Sequence, residues 1–127
     1  MRAKSMLLVA AVGALLLVSV PMFAHHGGAA YDAANPVTLK GTVTDFQFIN
    51  PHSLVFFDVK NDKGEIEHWQ GELTAPNKLA RAGWTKHSLN PGDQITVTGA
   101  PGKNNGRSVA IRKLIGPDGQ AFQLSEE

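Results

Sequence analysis

The chain has 127 residues, with 12 Lys+Arg against 11 Asp+Glu, five histidines and no cysteine. Without cysteine there is no thiolate metal site, disulfide or dithiol redox chemistry, so any bound metal must be held by nitrogen and oxygen. The near-neutral balance lacks the clustered basic residues that nucleic acid or an anionic membrane would call for, so no nucleic-acid partner is expected.

The first 24 residues read as a signal peptide. Arg2 and Lys4 give a positive start, Met6 to Val18 is an unbroken apolar and small run, and Pro21 breaks any helix. Met22-Phe23-Ala24 then offers alanine before the cut. The run to Val20 is shorter than the roughly 20 residues of a spanning helix, so no stable span is expected after cleavage. Removing 24 of the 127 residues leaves 103, one domain's worth, and takes Arg2 and Lys4 with it. The formal charge becomes −1, with ten basic residues against eleven acidic. A periplasmic or secreted protein beginning at His25 is the expectation.

Residues 25–36, rich in Gly, Ala and Asn, show no period and read as an extended arm. Residues 37–127 read as the folded domain. Val37, Leu39, Gly41 and Val43 alternate with polar neighbours, then the apolar parity shifts to Phe46 and Phe48. A shift against a period of two requires a bulge near Asp45. Asn50-Pro51-His52 interrupts the pattern. Strand two covers 53–60, Asn61-Asp62-Lys63-Gly64 is a hairpin turn, and strand three covers about 65–73. A short helix comes next, with Thr74 as its cap, Pro76 in its first turn, Gly83 at its end, and Leu79 and Ala82 facing the core. Asn90-Pro91-Gly92-Asp93 fits a type II turn. Strand four carries Ile95, Val97 and Gly99; strand five carries Val109, Ile111 and Leu114; a last short strand is expected at Ala121–Leu124. This order, β1-β2-β3-α-β4-β5, predicts an all-β, five-stranded OB-like barrel, with a half-open sandwich as the alternative. In such barrels the loop after the first strand lies on a binding face. Here it carries His52.

The pieces His25-His26, Tyr31-Asp32, Pro36-Val37-Thr38-Leu39-Lys40-Gly41, Asn50-Pro51-His52, Trp69, Glu72, Gly83-Trp84, Ser88-Leu89, Pro91-Gly92-Asp93 and Arg107-Ser108-Val109 occur in this order. Together they resemble the exported bacterial proteins grouped as domain-of-unknown-function family 6152, over nearly all of the mature chain. The resemblance implies a small secreted β domain and no established activity. In one departure, members usually continue the histidine pair with Ser-Phe, where this chain has Gly27-Gly28, which implies a looser arm.

Cleavage after Ala24 would give His25 a free amine beside its own imidazole. The two form a six-membered chelate, and His52 as third nitrogen completes a T-shaped histidine brace. Amine and imidazole both titrate near neutrality and can yield to a metal there. Such nitrogen donors favour Cu(II), with Zn(II) and Ni(II) behind. His26 is a further ligand or a supporting residue. Glu72 is an oxygen ligand, an orienting partner for an imidazole, or the ion-pair partner of Lys78 or Arg81. Tyr31 approaches the metal or tethers the arm. The bland reading of His25-His26 is a processing scar that scavenges metal weakly, and that of His52 a turn-shaping hydrogen bond. His68 and His87 read as solvated, and Trp69 and Trp84 as core or rim aromatics before a ligand-stacking platform.

Catalytic patterns are poor. Ser53 and His52 are adjacent on a strand and point apart, Glu65 and Glu67 look like an exposed strand face, and no glycine-rich phosphate loop precedes a helix. The leading expectation is a small copper-binding protein. The alternative is a non-metal binding module whose barrel face, with Trp69, Trp84 and Phe56 or Phe57, takes a glycan, a small ligand or an envelope protein. A structural domain with no ligand is the third reading.

Overall fold

A computed structural model describes residues 30–104 and 106–126. The expected signal peptide, cleavage point, His25 and His26 lie outside the described residues. Five strands close into a barrel in the order β1-β2-β3-β5-β4: β1 Val37–Gln47, β2 Leu54–Lys60, β3 Ile66–Glu72, β4 Gln94–Pro101 and β5 Ser108–Ile115. Closure selects the barrel over the half-open sandwich.

The length of β1 is what closes it. Its first half pairs with β4 (Val37↔Gly99 to Thr42↔Gln94) and its second with β2 (Thr42↔Asp58 to Gln47↔Leu54). The expected bulge lies within the β2-paired half, where Val43↔Phe57 is followed by Asp45↔Phe56. The extra residue bends the strand and exchanges the faces of the residues after it. A second irregularity sets Thr98 opposite Lys113 and Gly99 opposite Ile111, so that Arg112 is the unmatched residue of β5. This accounts for the change of parity from Val109 and Ile111 to Leu114. β3 and β5 run parallel through only three pairs, Gln70↔Ser108 to Glu72↔Ala110.

The interior holds Val43, Val55, Phe57, Ile95, Val97, Val109 and Leu114 from the strands, joined by Leu73, Leu79, Trp84 and Leu89 from the β3–β4 connection. The single helix named there, α1 Pro76–Arg81, starts differently from the expectation. Ala75, not Thr74, occupies the N-cap and makes no side-chain cap bond. Pro76 is the first helical residue, and a proline there holds the residue before it extended, which displaces Thr74 one position outward. Gly83 lies just past the helix at φ +94°, as a C-terminal glycine should. The expected strand at Ala121–Leu124 reduces to one bridge, Ile115↔Ala121. Phe122 and Leu124 pack on the core, and the Gln123 carbonyl accepts the Trp84 indole N–H at 2.7 Å. Among the described residues no helix is long and apolar enough to cross a membrane.

Candidate functional site

The β2–β3 hairpin positions the candidate site. Its turn is pinned by Asn61, whose Oδ1 accepts the backbone N–H of Lys63 and of Glu65, with Gly64 at φ +79°. That turn sets Lys60 opposite Ile66, and counting outward puts Asp58 opposite His68 and Leu54 opposite Glu72. Cross-strand partners share a face and side chains alternate. Leu54 and Glu72 therefore share the outer face, and so does His52, two residues before Leu54. Ser53 extends the pairing, donating its N–H to the Thr74 carbonyl and accepting that of Leu73. Its side chain faces inward and is fully buried, opposite to that of His52.

On this face the Nδ1 of His52 pairs with Oε1 of Glu72. The imidazole is 49% exposed and the carboxylate 26%. In a neutral imidazole, a carboxylate against Nδ1 favours the ring proton there and leaves Nε2 with its lone pair. The other carboxylate oxygen, Oε2, accepts the Tyr31 hydroxyl at 2.7 Å. Tyr31 belongs to the arm, which lies against the β4–β5 hairpin. Tyr31 bridges to Gly102, Asp32 N–H donates to the Pro101 carbonyl at 2.8 Å, and Lys103 N–H donates to the Ala30 carbonyl at 2.9 Å. Burial, then the hydrogen bond to Glu72 and the charge of its carboxylate, push the Tyr31 phenol up to about 12, so it stays a donor. One carboxylate thus binds the arm through Tyr31 and the β1–β2 loop through His52.

The structure brings His52, Glu72 and Tyr31 together. Tyr31 is a tether, and Glu72 is engaged with His52 and Tyr31 rather than with Lys78 or Arg81. Among the described residues no three His, Asp or Glu side chains converge as a metal cluster. His68 is exposed but not free, since its Nδ1 lies 2.6 Å from Asp58 Oδ1 across the hairpin. His87 is exposed in the loop after α1. The Tyr31–Glu72 bond spans 41 residues and had no local signal. The approach of Glu72 to His52 was countable from the hairpin turn.

Trp84 is a core aromatic, as its first reading has it, while the readings of Phe57 and Glu67 change. Trp84 and Phe57 are core residues, 4% and 1% exposed, and so are not part of an aromatic face. Glu67 is not on an exposed strand face. It shares the inner side of β3 with Trp69 because both stand opposite inward-facing β2 residues, Val59 and Phe57. Its Oε1 accepts the Trp69 indole N–H at 3.3 Å, and its Oε2 lies 3.4 Å from the Asn61 amide and 3.6 Å from the Arg107 guanidinium.

The model of a family of unknown function, DUF6152, matches residues 12–111, a span that includes His25, His26, His52 and Glu72. No curated protein matches the chain. Among solved structures, one described as the crystal structure of a tRNA fluorescent labeling enzyme is similar at 20% identity and a TM-score of 0.42. The match covers 65% of this chain and 18% of that one, so this chain corresponds to a small part of it.

Proposed function

Since the chain belongs to DUF6152, a family of unknown function, membership brings no activity with it, and we propose one from the residues: an exported, small metal-binding protein that carries or buffers Cu(II). Cleavage after Ala24 frees the amine of His25. That amine, the His25 ring and Nε2 of His52 are the three nitrogen ligands, with His26 beside them. Glu72 serves mainly by orienting His52. Zn(II) and Ni(II) bind the same donors more weakly.

The observation that carries this reading is the contact of His52 Nδ1 with Glu72, whose other oxygen holds Tyr31. A ligating histidine characteristically gives its second ring nitrogen to a carboxylate, which sets the tautomer and raises the basicity of the nitrogen facing the metal. The same carboxylate anchors the arm that leads back to His25. His25 lies five residue steps before Ala30, a reach of at most ~18 Å of extended chain. Gly27 and Gly28 give that span the freedom to fold back.

The test is Cu(II) binding by calorimetry and EPR on exported protein whose N-terminus is confirmed as His25 by intact mass. One-to-one binding with a nitrogen-rich spectrum is expected. It should be lost when one glycine precedes His25 and in His52→Ala, and weakened roughly 10–100-fold in Glu72→Gln. Equal weak binding in all of these proteins would refute the site.

A further inference from the structure

On the other side of the arm lies a groove of about 500 Å³, between the inner side of β3 and the β4–β5 hairpin. Asp32, Glu67, Trp69, Gly102, Lys103 and Arg107 line it. It exists because the parallel β3–β5 pairing ends at Gln70↔Ser108. Beyond that point the hairpin diverges from Ile66–Trp69, and the half-buried Trp69 indole is left as a wall. The volume falls within the roughly 300–1,000 Å³ of small-molecule pockets. None of these residues takes part in the copper site, although Trp69 and Arg107 stand among the motifs that carry the family resemblance.

We propose that this groove binds a hydroxylated ring bearing one carboxylate, the chemistry of a uronic acid, either free or within an acidic polysaccharide. Three features of the lining select that class. Trp69 offers an aromatic surface with its N–H already engaged by Glu67, so the remaining interaction is with its face. The half-exposed Arg107 spends one nitrogen on Glu67 at 3.6 Å and keeps further donors in its planar fork, which fits a carboxylate, with Lys103 beside it. Asp32 and Glu67 are on the same walls. The Asp32 oxygens already accept the Ala34 N–H and the Asn35 amide, and those of Glu67 hold Trp69, Asn61 and Arg107. Each carboxylate nonetheless keeps acceptor capacity for a sugar hydroxyl and repels a phosphate dianion. A fitting ligand therefore brings several hydroxyl donors and one carboxylate per ring. A neutral sugar leaves the guanidinium unused. A phosphate meets two carboxylates.

The test titrates the purified protein with trigalacturonate, galacturonate, maltotriose and inorganic phosphate. Calorimetry is combined with nitrogen–proton NMR, following the Trp69 indole and the amides of Gly102, Gly106 and Arg107. Saturable binding of trigalacturonate that moves these signals is expected. Arg107→Ala should weaken it roughly 10–100-fold, the range for a hydrogen bond to a charged group, with the NMR spectrum otherwise that of the folded protein. Trp69→Ala should weaken it as well, and because Trp69 touches the core, the exposed Arg107 and Lys103→Ala carry the decision if that variant unfolds. Galacturonate binding as tightly as the trimer points to a free acid, and tighter binding of the trimer to a polymer; both support the site. No saturable binding of either acid, equal binding of maltotriose or of phosphate, or full affinity in Arg107→Ala would each overturn it.

Discussion

Tyr31 is the only tyrosine of the chain, so its titration can be read without ambiguity. Its absorbance should change with a midpoint near 12, raised by burial and then by Glu72. In Glu72→Gln the midpoint should fall while staying above 10, since burial remains. The shift has a stability consequence of definite sign. A phenol whose folded pKa lies above its unfolded value of about 10 holds its proton more firmly when folded. Its contribution is complete below pH 10 and is lost as the pH rises toward 12. Alkaline unfolding should therefore be steeper in the natural protein than in Tyr31→Phe over that window. A Phe variant that tracks the same curve would show that the arm is held by its backbone bonds alone.

At the level of the element, the two strand irregularities decide where the barrel bends, and one glycine permits the closest approach of strands. A Cβ on Gly99 would run into the Ala110 carbonyl oxygen, a backbone atom of β5 that cannot swing aside. Gly99→Ala should cost about 1–3 kcal/mol, the usual penalty of overpacking, or more if β4 and β5 separate. Urea unfolding would measure it. Gly83→Ala meets no atom and should cost only the strain of a left-handed backbone at φ +94°. The bulge near Asp45 was legible because an apolar alternation that changes parity admits no regular strand. The bulge at Arg112 was not, because Val109, Ile111 and Leu114 could equally have been a strand with a ragged end. Thr74 misled as a cap because its side chain suits the role, while the position of Pro76 assigns it to Ala75.

For the whole molecule, the arm is held to the barrel by the Glu72 carboxylate and by backbone bonds to the β4–β5 hairpin, and a metal that binds only the folded chain would stabilise it. Protein beginning at His25, with Cu(II) at about 100 times its Kd, should gain about 2.7 kcal/mol. For a domain of this size that is a rise in Tm on the order of 10 °C. The same protein with one preceding glycine should show little of it, and equal shifts in both would place the metal elsewhere. The β3–β5 seam, with three residue pairs, is the shortest pairing of the closed sheet. It is also where the barrel wall opens into the Trp69 groove.

Local order was written in the sequence. Alternation, turn residues and the hairpin at Asn61–Gly64 were enough for the five strands, the helix and the OB-like order, whereas Glu72 was left among three roles although its approach to His52 follows from counting outward from that turn. These are consequences of side-chain period and backbone preference, which act within a few residues. Closure of the barrel, the burial of Phe57, the inward position of Glu67 and the bond between Tyr31 and Glu72 were decided only in three dimensions. Each depends on which segments distant in the chain come to lie side by side, and packing settles that over the whole core at once.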